Sequence, residues 1–214
     1  MRGWSKPMLR RSPIAIAACI VAAVCFAATS FAQELAFELD PAQSHVDFVL
    51  ADVVHTVHGA FHLKNGFLRF DAQNGGASGQ LIVDATTGES GSKGRDRKMH
   101  QQVLESATYP DITFQPQHVI GKIAGAGASQ MEIQGLMTMH GQTHAMTATG
   151  PVQINGDQVS ADLRFVVPYQ QWGMRNPSVL LLRVSNKVEI TVHAVGRLMP
   201  VAASAAAQAG ASTH

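Results

Sequence analysis

Apolar residues at every second position, in runs broken by turn signals, constrain this chain more than any other feature. "SHVDFVLAD" puts Val46, Phe48 and Leu50 on one face of an extended segment and His45 and Asp47 on the other. "VEITVHAV" repeats the pattern, with Val188, Ile190 and Val192 set against Glu189, Thr191 and His193. Successive side chains leave a pleated backbone on opposite faces, so such alternation marks a half-buried strand. Between the runs stand Lys64-Asn65-Gly66, "NGGASG", His140-Gly141-Gln142 and Asn155-Gly156-Asp157. Asn-Gly tolerates the positive φ angles of a tight hairpin, so "GAFHLKNGFLRFD" reads as strand, turn, strand. "ASQMEIQGLMTMHGQTHAMTATGPVQINGDQVSADLRFVV" supplies three more strands, and "LLRVSN" with "KVEITVHAVGRL" a last pair. The turn signals give about eight strands, mostly neighbours in sequence. A meander of this kind is mainly β and closes most simply into an antiparallel up-and-down barrel, which leaves no unpaired edge. A two-sheet sandwich is the rival. Eight strands make a barrel wide enough to be filled by its own side chains or to enclose one slender ligand.

One segment breaks the alternation. "GSKGRDRKMHQQVLESATYPDITF" (91–114) packs Lys93, Arg95, Arg97 and Lys98 into six positions and then turns apolar. Asp96 suits the cap of a short helix, with Met99, Val103 and Leu104 along one side. Tyr109-Pro110 ends the connection and "DITF" resumes strand. A short amphipathic helix between two barrel strands is expected near one mouth, with Met99, Val103 and Leu104 inward and Arg97 and Lys98 in water.

Both ends read as lying outside the fold. Arg2, Lys6, Arg10 and Arg11 precede the apolar run "PIAIAACIVAAVCFAA" and a small-residue cleavage pattern, Ser30-Phe31-Ala32. Residues 1–32 are therefore expected to be a secretory signal, the run being short for a membrane span. Ile16-Ala17-Ala18-Cys19 resembles a lipobox, but only about half of the apolar run precedes Cys19, which favours cleavage after Ala32 over a lipid anchor. Cys19 and Cys25 both fall in this segment, so the mature chain has no thiol chemistry and no disulfide. The segment also holds four of the sixteen basic residues and none of the fifteen acidic ones. Twelve basic against fifteen acidic remain, a formal net charge of −3, which argues against nucleic acid as a partner. At the other end, residues 199–214 are Ala-rich without an apolar face and are expected to be a solvated tail. One domain over 33–198 is left.

Chemistry-bearing patterns are sparse. Of the ten histidines, His55, His58 and His62 cluster, yet His55 and His58 point to opposite faces of a strand. His58 and His62 lie roughly 13 Å apart at strand rise. "HGQTH" (140–144) can pair two imidazoles at a turn without an evident third ligand. No metal set is expected, since catalytic zinc normally has three protein ligands. Ser44 and Ser185 lie in no nucleophile elbow, and no catalytic residue or cofactor is expected. The cations around Arg95 lack the spacing of a phosphate-binding loop. Phenylalanine and methionine are spread over many strands, and adaptable Met-rich walls suit flexible apolar ligands; a packed core accounts for the same pattern.

Taken in order, the motifs resemble the YceI-like family. "FELDPAQSHVDF", "VHGAFHLKNGFLRFD", "RDRKMHQQVLESATYPDITF", "IQGLMTMHGQTH" and "WGMRNPS" are similar to its successive motifs from about Phe37 to Leu198. The resemblance implies a periplasmic lipocalin-like barrel that binds a long isoprenoid or other amphiphilic lipid, without catalysis. On it rest Phe48, Phe61, Met99, Val103, Leu104, Phe114 and Trp172 as expected lining residues, and Arg95, Arg97 and Tyr169 as expected headgroup contacts. Tyr169 and Gln171 stand where the family commonly has Arg and Asp. The reading allows transient contact with a membrane and leaves monomer or homodimer open. Two alternatives accompany it: a filled barrel serving as a stress-response or interaction module, and a metal enzyme built on His45, His55, His58 and His140.

Overall fold

The alternating runs become the wall of a closed antiparallel barrel, seen in a computed structural model that describes residues 34–51, 56–121, 127–177 and 185–201. Residues 1–33 with both cysteines, among them the expected signal, as well as His55, Leu181–Val184 and residues 202–214, lie outside the described residues. The strands are β1 (Glu34–Leu39), β2 (His45–Ala51), β3 (Thr56–Asp71), β4 (Ala77–Glu89), β5 (Asp111–Ile120), β6 (Gly127–Met139), β7 (Gln142–Asn155), β8 (Gln158–Val167) and β9 (Val188–Pro200). Nine strands fill eight places around the wall. β1 and β2 lie end to end in one slot between β3 and β9: β1 pairs with Phe67–Asp71 and Gly196–Pro200, β2 with Thr56–His62 and Glu189–His193. That slot closes the ring, and the remaining pairings run β3-β4-β5-β6-β7-β8-β9. The break between β1 and β2 is pinned to β9 by Ser44, which is 4% exposed. Its hydroxyl donates to the Val195 carbonyl at 3.2 Å and accepts from the Val195 N–H at 2.9 Å.

Two hairpins form where turn chemistry places them. His140 and Gly141 both have positive φ (51° and 72°), the combination a tight two-residue β-turn requires, and Gly156 turns β7 into β8 at φ 66°. Lys64-Asn65-Gly66 differs from expectation. It lies inside the continuous 16-residue β3, and neither Asn65 nor Gly66 adopts positive φ. The pairing with β4 shifts between Leu63 and Asn65, so the segment is a bulge. An extra residue there moves the inward set from Phe61 and Leu63 to Leu68 and Phe70. Gly66 is needed for space: a Cβ would meet Leu81 and Leu39 at 3.0–3.1 Å. Pro116 sits at a register shift in β5, one of the places in a sheet where a residue without an N–H is tolerated. β1, unlisted among the sequence-derived strands, alternates Leu35, Phe37 and Leu39 against Ala36 and Glu38. Of the expected last pair the second member is β9; the first lies outside the described residues except for Ser185 and Asn186, which are not in a strand.

The irregular segment forms α1 (Lys93–Lys98), which runs on as one π-helical turn through Met99–Val103. Ser92, not Asp96, is the N-cap residue, and it makes no side-chain cap bond. Asp96 lies one turn in and reaches back to β4's exit, where its carboxylate accepts from the N–H (2.9 Å) and hydroxyl of Ser90. Arg95 binds the same serine from its Nε (2.7 Å to Oγ) and Nη2 (2.7 Å to the carbonyl). His100 adds a tie 2.8 Å from the Gly88 carbonyl through Nε2. A carbonyl can only accept, so in the neutral ring Nε2 carries the proton and Nδ1 accepts from Ser106, 3.0 Å away. These bonds set the helix at the barrel end shared by the β6–β7 turn.

Candidate ligand-binding cavity

A barrel of eight places either fills with its own side chains or stays hollow, and this one encloses a cavity of about 710 Å³. That lies within the usual size of small-molecule sites. The inward parity of each strand supplies the wall. Val46, Phe48 and Leu50 come from β2, and Val188, Ile190, Val192 and Ala194 from β9. Six of the nine methionines (Met99, Met131, Met137, Met139, Met146 and Met174) line it, so much of the wall is unbranched and able to reshape around a flexible chain. A filled barrel would leave no such space.

Polar side chains are few and of one sign. Among the described lining residues they are Arg69, Ser90, Arg95, Lys98 and Tyr169, with no carboxylate and no histidine. Arg95 and Lys98 stand together on α1 at the helix mouth. Lys98 has no ion pair among the described residues. Tyr169, just past β8, is 4% exposed and its hydroxyl donates to the Ser185 carbonyl at 2.8 Å. Burial pushes its phenol above the ordinary value, against a smaller downward pull from a hydrogen bond with Gln170. It therefore stays a neutral donor. Arg69 enters from β3, its guanidinium 5.2 Å from the Phe67 ring centroid and its buried Nε without a hydrogen-bond partner.

Phe48, Phe61, Met99, Val103, Leu104 and Phe114 all face this space, as do Arg95 and Tyr169. Two expected residues stand elsewhere. Arg97 is exposed and off the cavity, because the helix turns Gly94, Arg95 and Lys98 toward the lumen instead. Trp172 is buried but lies flat on His144 at the mouth end of β7, ring centroids 4.3 Å apart and planes 1° apart. Tyr169 takes the inward position that Trp172 was expected to hold. Arg69 had no sequence signal, since it falls on the outward parity of its strand between Leu68 and Phe70. Lys98, expected in water, is exposed yet borders the cavity.

Of the histidines named for the alternative metal enzyme, the described ones, His45, His58 and His140, do not meet. His45 and His58 project from the outer parity of β2 and β3. His140 packs on Tyr109 at 4.7 Å, with its Nε2 3.7 Å from Glu105.

This architecture and the motif order converge with direct comparison. A family model described as the YceI-like domain matches residues 37–196, three-quarters of the chain. The chain belongs to the YceI-like family. Among curated relatives, a UPF0312 protein of Vibrio cholerae serotype O1 is 24% identical over 156 residues, 72% of this YceI-like chain and 76% of its own length. Among solved structures, a polyisoprenoid binding domain from Saccharophagus degradans, implicated in plant cell wall breakdown, superposes with a TM-score of 0.62. It is 17% identical and covers 76% of this chain and 98% of its own. Burkholderia cenocepacia BcnA gives 0.60 at 19% identity, over 73% and 98%. At these identities the structural likeness establishes the YceI-like fold.

Proposed function

We propose that this YceI-like protein is a non-catalytic carrier or sequestering protein for one long-chain amphiphile of the polyisoprenoid class. The chain lies in the lumen and an anionic headgroup lies at the helix mouth, beside Arg95 and Lys98. The observation that carries this reading is the cavity wall itself: apolar but for five described residues, with cations and no acids among the charged ones. Burial of a hydrocarbon chain there contributes roughly 25 cal/mol per Å² before ordering costs. The polyisoprenoid class is supported by what the Saccharophagus degradans relative is described as binding. A lumen whose described lining holds no histidine or carboxylate offers little for acid–base chemistry, which supports a binding role. The signal-like N-terminus supports placement in the periplasm, where loading requires transient contact of the helix mouth with a membrane.

Charge at the mouth separates headgroup recognition from chain burial. Lys98→Glu is expected to weaken binding of a polyprenyl phosphate about tenfold, ~1.4 kcal/mol. It is expected to leave the uncharged polyprenol of equal length within about twofold, because a neutral headgroup senses little of the reversed charge. Titration of both lipids against both proteins reads the difference. Equal affinities for the phosphate would remove the headgroup from this mouth, and failure of either lipid to bind would end the carrier reading.

A further inference from the structure

The outer wall carries a second cluster that the lumen does not use. β2, β9 and β8 lie side by side, and their outward positions form a row: His45 is the register partner of His193, and His193 that of Asp162. Asp47 stands two residues along from His45 on the same face. The imidazoles of His45 and His193 stack at 4.5 Å between centroids, 24° apart in plane. Their Nε2 atoms converge on one oxygen, Asp47 Oδ2, at 3.7 Å and 3.3 Å.

Hydrogen bonding fixes how these groups present their lone pairs. His193 Nδ1 lies 2.6 Å from Asp162 Oδ1, and a carboxylate only accepts, so Nδ1 carries the proton. In the neutral ring Nε2 then presents a lone pair to Asp47 Oδ2, which presents another. Two acceptors facing each other at 3.3 Å call for a cation between them. Protons on His193 and on His45 Nε2 can each bridge to Asp47, but only pairwise. A metal ion joins all three. The ligand atoms all lie within 4.8 Å of one another, and the two separations to Asp47, 3.3 Å and 3.7 Å, approach the spacing of about 3.3 Å between neighbouring N/O ligands around a tetrahedral zinc. The Asp162–His193 bond is the carboxylate partner that metal-bound imidazoles usually have behind them.

We infer that His45, Asp47 and His193 form a binding site for a divalent transition-metal ion of the zinc class, with Asp162 as the positioning residue behind His193. Two imidazoles and one carboxylate suit zinc, cobalt or nickel and disfavour calcium and magnesium, which take oxygen sets. Three protein ligands leave a fourth position open. The site bridges the slot where the N-terminal strands meet the last strand, so an ion there fastens the barrel's closure. It is independent of what the lumen holds.

The test uses tag-free, chelator-treated full-length protein and calorimetric titration with zinc. One ion per chain is expected, with a rise in thermal midpoint, and cobalt is expected to give the intense visible bands of a tetrahedral complex. His193→Ala and Asp47→Asn are expected to abolish saturable binding. Asp162→Asn is expected to weaken it by roughly 10–100-fold while leaving stoichiometry unchanged. His118→Ala, remote on β5, should bind as the wild type does. All four positions are surface side chains, and circular dichroism establishes that each variant is folded. Sub-stoichiometric zinc, equal loss in His118→Ala, or preference for magnesium over zinc would each overturn the assignment.

Discussion

Ala161→Phe combined with Ala194→Leu is expected to reduce uptake of a polyprenyl phosphate by at least ~10-fold, without lowering stability. The two alanines are register partners on β8 and β9, and both line the cavity. Enlarging them fills lumen volume from inside, where space exists, so the added side chains gain burial rather than strain. In a tightly packed core the same changes typically destabilise by about 1–3 kcal/mol. The experiment therefore reads two quantities that the rival accounts couple differently. A hollow carrier loses binding and keeps its melting temperature. A barrel that binds lipid on its outer surface keeps its binding, and a barrel without free lumen loses stability. Binding by fluorescence quenching and melting by circular dichroism, on the same preparations, distinguish the three.

The second large effect concerns the backbone. Gly150→Ala is expected to destabilise by about 3 kcal/mol or more, the upper range for forced overpacking. A Cβ there would stand 1.9 Å from the Asp162 carbonyl oxygen, 3.0 Å from its carbon and 3.2 Å from Leu163 Cα. Every one of these is backbone, so no side chain can swing away and β8 itself must move. Gly150 does not have positive φ; the constraint is close approach between β7 and β8. Gly94→Ala is the matched control. Nothing lies within 4 Å of its missing Cβ, and in α1 the change is expected to stabilise by roughly 0.5–1 kcal/mol. For a domain of this size the first loss lowers the melting midpoint by roughly 6–12 °C. A Gly150→Ala protein melting with the wild type would contradict the strand spacing described above.

The strands were legible because alternation is a property of single strands. Val46, Phe48 and Leu50, or Val188, Ile190 and Val192, state their inward face without any partner. Two hairpins were legible because His140-Gly141 and Gly156 carry the residues their φ angles need. Lys64-Asn65-Gly66 has the same chemistry and becomes a bulge, since pairing of β3 with β4 on both sides of it outweighs a local turn preference. The joining of β1 and β2 in one slot was not legible. It depends on β9 pairing with both, 150 residues away in sequence.

The same division holds for the sites. Phe48, Phe61 and Phe114 follow strand parity, and Met99, Val103 and Leu104 follow the amphipathic helix, so each could be placed facing the lumen. Trp172 and Arg97 could not, because a loop and the pitch of one short helix decide where they point. The outer-wall cluster was invisible for a different reason. His45 and Asp47 are close in sequence, but His193 and Asp162 reach them only through barrel closure, so proximity along the chain shows only two of the four.

Occupancy of the lumen tests the central claim most directly. Native mass spectrometry of the protein purified from its own host, followed by lipid extraction of the same sample, reads it. The account predicts one amphiphilic lipid per chain, lost on denaturation and restored by incubation with a polyprenyl phosphate. A protein that is empty as isolated, and that takes up neither isoprenoid quinones nor polyprenyl phosphates, would contradict it.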